Sequence, residues 1–378
     1  MKLIYRFVCL AMMMFATTST LAQERKESKG VVGFARKVMA FIDTMAVSGI
    51  DRSYIDIPKR PWQVIAKAVV NQGDMKMEST IDGGRYFEGI SGKMKWSPRI
   101  LTKPSTAVGL WAGYRGYGLG YTKHTGGDDG YYFVLTAMGG RYGANIRWHN
   151  FKTSSPRLTV SGEFSDWDKL TYDYDLYSPI SVKTVVADAY YMFNGKHFSY
   201  SAAYDQSALQ LRSSGSLIVG ATYYYSSVNY ANDGNADFIL VMGDVGKAQQ
   251  WQASLGAGYA YNYVPMRNML ISVMAMPTVS LINHIKVHRY DSNYKDLATD
   301  SETHEPMDNA DMRLRDAGTA THNSNVRLNA DIRLAVSYNF DPLFVCAYGT
   351  FNRFGYSNGE SSGTLQSWYV NSSIGIRF

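Results

Sequence analysis

Two histidine–serine pairings are the first candidates for chemistry in this sequence. His149 is followed by Ser154 and Ser155, and His197 stands two residues before Ser199, a spacing that puts both side chains on one face of a strand. A serine activated by a neighbouring imidazole base would perform acyl transfer or hydrolysis. Polar side chains on an inward strand face give the same pattern with no reaction, and that is the reading adopted, so no catalytic residue is assigned. The sequence holds no H-E-x-x-H zinc site and no Walker loop. Glycines near Gly113 to Gly120 and at Gly126-Gly127 are interleaved with tyrosines, which suits strand and turn packing better than a phosphate cradle. An acidic run, Asp291, Asp296, Asp300, Glu302, Glu305, Asp308 and Asp311, faces only Lys295. Its spacing fits no calcium hand and His304 completes no ligand set, so it reads as a solvated loop. No metal or other cofactor is expected.

The elements that would carry these residues alternate. Counting back from the end, Phe378, Ile376, Ile374, Val370 and Trp368 lie on one face and Arg377, Gly375, Ser373, Asn371 and Tyr369 on the other. The same period runs through Trp62 to Asn71, Arg141 to Trp148, His197 to Asp205, Trp251 to Tyr263 and Val326 to Phe340, often with aromatics bracketing an aliphatic middle. These runs reach a dozen residues, against about 5 to 6 for strands of soluble proteins and about 9 to 11 for strands that cross a bilayer. The composition, 29 Tyr, 7 Trp and 34 Gly, fits such strands. No stretch approaches the ~20 apolar residues of a membrane helix; Met269 to Ile282 is broken by Ser272, Pro277, Thr278 and Ser280. The expected fold is all-β, a closed antiparallel transmembrane barrel of about twelve strands, within ten to fourteen.

The domain reading follows. Lys2 and Arg6 precede an apolar core from Phe7 to Ala16, and Thr20-Leu21-Ala22 offers a cleavage site, so residues 1–22 read as a signal peptide. Residues 23–60 form a periplasmic segment. In it Val31, Phe34, Ala35, Val38, Phe41, Ile42 and Met45 recur at helical spacing, predicting a short amphipathic helix. Residues 61–378 form the barrel. Cys9 falls within the signal, leaving Cys346 alone and no internal disulfide. Losing Lys2 and Arg6 lowers the formal charge from +6 to +4, too mild to argue for nucleic acid. Asp341-Pro342, Pro265 to Asn268 and the hairpin signal Asn194-Gly195 read as short turns. Long polar segments occur at Asn150 to Pro179, Asn229 to Gln250 and His288 to Asn325, and with Phe378 ending at the periplasm the 288–325 loop reads as facing outward.

Lys67, Lys93, Lys95, Arg115, Arg141, Arg147, Arg327 and Arg333 outnumber Glu88, Asp188 and Asp331 on the faces read as inward. An open lumen with this wall would favour anions. A closed one would pair the same charges across the interior, Asp331 with an arginine for example, and could be filled by side chains or an N-terminal plug. The narrow or closed lumen is preferred.

The stretch Tyr190 to Ser199, continuing through Ala202 to Ser207, Gln210 and Ser214 to Ser216, resembles a domain-of-unknown-function family of exported Gram-negative proteins. Asp51 to Ile55 and Gly258 to Pro277 resemble it also. The resemblance implies an outer-membrane barrel of unassigned activity and supplies no catalytic residues. Three functions remain open: a narrow pore (anion-preferring if the lumen is open) or structural and surface-interaction barrel, a barrel enzyme acting on lipid or surface glycan, and a soluble periplasmic β-protein. For the first, the expected partners are outer-membrane lipid, periplasmic chaperones and the barrel-assembly machinery. That machinery would read Trp368, Val370, Ile374, Ile376 and Phe378 as an insertion signal.

Overall fold

Period-two alternation does produce strands along most of the chain, and the computed structural model describes residues 31–82, 92–162, 170–291, 314–357 and 361–378. The expected signal peptide, Glu88 and the acidic run beyond Asp291 lie outside the described residues. Twelve long strands form one ring: β1 (Trp62–Asp82), β2 (Ser105–Tyr114), β3 (Tyr117–Gly126), β4 (Asp129–Met138), β5 (Tyr142–Thr153), β6 (Ile180–Met192), β7 (Ser214–Asn229), β8 (Val245–Tyr263), β9 (Met269–Asp291), β10 (Leu328–Phe340), β11 (Leu343–Ser357) and β12 (Ser361–Arg377). Each pairs antiparallel with the next. The ring closes where β12 meets β1, from Ser361 opposite Ser79 to Arg377 opposite Gln63. Closure pairs the backbone groups of both end strands, which hydrocarbon requires. On β10, Ile332, Leu334, Val336, Tyr338 and Phe340 are exposed while Asp331, Arg333, Ala335, Ser337 and Asn339 are buried, so the apolar face turns outward and the polar face inward. The residues of the expected insertion signal, Trp368, Val370, Ile374, Ile376 and Phe378, share the outward face of β12. Helix α1 (Val31–Val47) forms where the helical period was read, and Phe41 on it is exposed.

One end of the ring has short turns at Arg115-Gly116, Gly139 to Arg141, Val264 to Asn268 and Asp341-Pro342. The exception there is the β6–β7 connection, residues 193–213. The alternation from His197 to Asp205 predicted a strand, and Asn194-Gly195 a tight hairpin. The segment instead turns into the lumen as an irregular chain with one helical turn, α2 (Ser201–Tyr204). A short stretch, Ile55–Asp56, pairs with Leu209–Gln210 beneath it.

At the opposite end β1 outruns the ring. Its first half pairs with β2, while Asp74 to Asp82 pairs with an added strand, Lys93–Leu101, which continues through Arg157–Gly162 to Leu170–Asp173. This small sheet packs on α3 (Ala236–Val241) around Trp96, Ile100, Leu158, Val160, Phe238 and Ile239, with Ile180 and Val228 of the ring in the same cluster. Trp96 Nε1 donates to the Val241 carbonyl at 2.7 Å. The described loops therefore build a cap with its own apolar core.

The Gly113–Gly120 stretch is explained by Trp111. A Cβ on Gly113 or Gly118 would lie 2.2 or 2.3 Å from the indole, so these glycines let the buried ring lie along the inner wall.

Candidate functional site

The inward-facing residues of the ring enclose a cavity of about 240 Å³, reaching from Met75 and Ile100 under the cap to Tyr200, Tyr204 and Asp205 of the 193–213 segment. Five of the charged residues expected in the lumen, Lys67, Arg147, Asp188, Asp331 and Arg333, are placed on inward strand faces. The other five basic residues lie off the ring strands. Lys93 and Lys95 are exposed on the added strand beside β1, because alternation cannot tell a strand on the ring from one stacked on its rim. Arg115 occupies the β2–β3 turn with φ +52° and donates to the Pro58 carbonyl. Arg141 is exposed in the β4–β5 turn, against Gly195. Arg327 precedes β10, beside Gly355.

The inward arginines and the carboxylates of Asp188 and Asp331 are joined. Arg333 donates to Asp331 at 3.0 and 2.8 Å, and its guanidinium also reaches the hydroxyls of Tyr190 and Tyr200. The Tyr190 hydroxyl donates to Asp331 at 2.6 Å. Asp188, on β6, accepts from Arg147 at 2.6 Å and Asn145 at 2.9 Å, and lies 3.5 Å from Arg333. Asp331 thus takes its arginine from its own strand, two residues on, while Arg333 and Asp188 meet across the ring. A row of tyrosine rings, Tyr190, Tyr200, Tyr204, Tyr348 and Tyr369, crosses the lumen at centroid steps of 5.7, 4.5, 5.8 and 5.8 Å.

The 193–213 segment is held by wall side chains that the sequence reading did not single out. Gln206, at φ +61°, is the centre of this grip. Its carbonyl accepts from Gln63 at 2.8 Å and from Arg377 at 3.2 and 2.8 Å; its side-chain oxygen accepts from Asn339 at 3.0 Å and its amide donates to the Ala202 carbonyl at 2.6 Å. Arg377 also donates to Asn339 at 2.6 Å. Asn262 donates to the Ser199 carbonyl at 2.8 Å, and Tyr200 packs on Gly143. Contacts therefore reach β1, β5, β8, β10 and β12, and the segment stands across the mouth as a plug. The only sequence signal was the run of buried-type polar residues, Gln63, Asn262, Asn339 and Arg377, at the same end of their strands.

Burial pushes the carboxyl of Asp205 on the plug up to about 6 from 3.8, against two hydrogen bonds from Ser207. Its ionised form is thus a cost to the folded state. The stability held by the protonated form is complete below pH 3.8 and is lost as the pH rises through about 6, on the order of 2–3 kcal/mol. The urea midpoint of the folded barrel is expected to fall between about pH 4 and about pH 7, and Asp205→Asn to flatten that dependence.

Neither histidine bonds a serine among the described residues. His197 Nε2 faces Asp51 at 3.4 Å, with its ring against Tyr54, while Ser199 Oγ bonds Ser201 Oγ at 3.1 Å. His149 meets His124, Nε2 to Nε2 at 3.2 Å, stacked between Tyr132 and Phe151. The string Gly359-Glu360-Ser361-Ser362-Gly363 has G-x-S-x-G spacing, yet Ser361 opens β12 and no helix follows, so it lacks the strand–turn–helix geometry of a nucleophile elbow.

A closed ring of twelve antiparallel strands, apolar outside and polar inside, with mostly short turns at one end and most of the longer loops at the other, defines a bacterial outer-membrane β-barrel. Residues 97–378 match the family model described as Domain of unknown function (DUF4421), and the chain belongs to that family. The match begins after β1, which the ring needs in order to close. No curated protein matches the chain. Among solved structures it is similar to the outer membrane protease OmpT from Escherichia coli (8% identity, 85% of this chain and 98% of that one, TM-score 0.37). It is also similar to the outer membrane protein OprG from Pseudomonas aeruginosa (11% identity, 84% and 97%, TM-score 0.27) and the β domain of the Bordetella autotransporter BrkA (10% identity, 83% and 100%, TM-score 0.29). The segment on which the family resemblance was first read, Tyr190 to Ser216, contains the plug.

Proposed function

We propose that this protein is a gated outer-membrane barrel, shut to free ion flow at rest and opened for small solutes by movement of the 193–213 plug at the periplasmic mouth. The observation that carries this reading is the grip on Gln206, whose carbonyl and side chain are held by Gln63, Asn339 and Arg377 from three strands of the wall. These are neutral or singly charged hydrogen bonds, each worth about 1–3 kcal/mol, so the plug is held firmly yet remains releasable. The same reading includes export by a signal ending at Ala22, and assembly through the apolar outward face of β12.

The test is conductance in planar bilayers. Met192 pairs opposite Ile218, so a short linker can replace residues 194–213 without parting β6 from β7. The wild-type chain is expected to stay silent, and the linker variant to conduct in discrete steps at least about tenfold above baseline. Equal, steady conductance of both would contradict a plugged barrel.

A further inference from the structure

Unpartnered hydrogen-bonding groups in the chamber include the hydroxyls of Tyr204, Tyr224 and Thr350 and one oxygen of Asp205, and a further set gathers at the β12–β1 seam. There Asn371, 1% exposed on β12, has neither its amide nitrogen nor its oxygen bonded among the described residues. Asn71 Nδ2 and Arg147 Nε are also buried without an acceptor among the described residues. Val69 of β1 pairs opposite Asn371, and Lys67 and Asn71 flank Val69 on the same inward face. Arg147 is drawn to this seam by its contact with the Tyr369 hydroxyl at 3.4 Å, and Tyr369 pairs opposite Asn71. Lys67 lies 5.8 Å from the Trp111 ring and forms no ion pair among the described residues. The unused groups at the β12–β1 seam are therefore mainly N–H donors and one ammonium, which call for an acceptor. Away from the seam Trp111, Val134, Val186 and Phe354 supply apolar wall between hydroxyls such as those of Thr122, Tyr224 and Thr350.

The charges facing the chamber limit what the acceptor carries. Arg147 and Arg333 are matched by Asp188 and Asp331. Asp205 stands at the plug end, accepts from the Ser207 backbone at 2.8 Å, has its other oxygen unbonded among the described residues and attracts Lys67 without closing to a salt bridge. The three cations and three carboxylates therefore balance, and Lys67, with no ion pair among the described residues, leaves room for at most one further negative charge and none for a doubly charged phosphate. A cavity of about 150 Å³ holds benzene, so about 240 Å³ holds a molecule of roughly ten non-hydrogen atoms.

We infer that the chamber binds a small monocarboxylate with an apolar body, its carboxylate held by Lys67, Asn71 and Asn371 at the β12–β1 seam. This rests on the closed-chamber reading above and names the class of solute that the gate would serve.

The probe is radiolabelled phenylacetate, with neutral 2-phenylethanol for comparison. The full mature chain is refolded in the presence of each probe, so that entry does not depend on gating, and binding is then measured by equilibrium dialysis. Wild type is expected to hold phenylacetate saturably, one per chain, and at least about tenfold more tightly than phenylethanol. Lys67→Met and Asn371→Leu, each checked for folding by heat-modifiable migration, are expected to weaken phenylacetate about tenfold and leave phenylethanol unchanged. If Lys67→Met does not fold, Lys67→Gln takes its place. Non-saturating uptake that is the same in wild type and variants, or equal affinity for the two probes, would overturn the inference. Saturable binding by a barrel that also conducts at rest would sink the gate and leave this site standing.

Discussion

Arg333→Met is expected to destabilise the folded barrel by about 3–5 kcal/mol, because it strands buried carboxylates. Arg333 is 5% exposed and touches Asp331, Asp188, Tyr190 and Tyr200, which come from β10, β6 and the plug. Removing it leaves the Asp331 carboxylate, among the described residues, with the Tyr190 hydroxyl alone, and weakens the neutralisation of Asp188. The cost arises from unpaired charge rather than from a lost attraction, so deleting both partners should be far milder. Arg333→Met with Asp331→Leu is expected to recover most of the loss, since a buried pair replaced by apolar groups of similar volume is often neutral. Urea titration in lipid vesicles, followed by the gel shift between folded and unfolded forms, measures both. A loss under about 1 kcal/mol in the single variant would mean that water reaches Asp331 and that the lumen is open at this level.

Arg377→Met is expected to loosen the plug without impairing insertion. Arg377 is buried on the inward face of β12, where it makes two hydrogen bonds to the Gln206 carbonyl and one to Asn339. The residues on either side of it, Ile376 and Phe378, keep the outward face intact. On the proposed gate, the wild type is held shut by an array whose removal costs about 2–3 kcal/mol, so the open fraction should rise on the order of tenfold to a hundredfold in single-channel records. Gln63→Leu removes a donor to the same carbonyl and should give a smaller rise. The two substitutions should not add, because they act on one acceptor. Unchanged silence in the double variant would place the barrier elsewhere.

The ring was legible because a half-buried strand writes its two faces into alternate residues, as Leu328 to Phe340 and Trp368 to Phe378 do. The plug was not. His197 to Asp205 alternates too, and nothing local records whether a backbone group will pair with a neighbouring strand or with side chains across a lumen. Here the partners of the Ser199 and Gln206 carbonyls are Asn262, Gln63 and Arg377, between 63 and 171 residues away in sequence, fixed only once the ring has closed. Lys93 and Lys95 were misplaced for a related reason. Their strand has the right period, but β1 runs for 21 residues, longer than a bilayer needs, and its outer half takes a second neighbour. Arg147, Asp331 and Arg333 sit mid-strand, where alternation alone decides direction, and so their inward placement was readable. The Arg333–Asp188 contact across the lumen was not, because it depends on strand number and register together.

The central claim is that residues 193–213 are seated in the mouth of the barrel. Amide hydrogen exchange of the membrane-embedded wild type measures this directly. Ser199, Ala202 and Gln206 donate their backbone N–H groups to Gln210, Ser199 and Ser201 inside the plug. A seated plug predicts exchange for 198–207 as slow as that of β10 or β12. Exchange within seconds, at the rate of an exposed loop, would show the segment hanging free and would contradict the account.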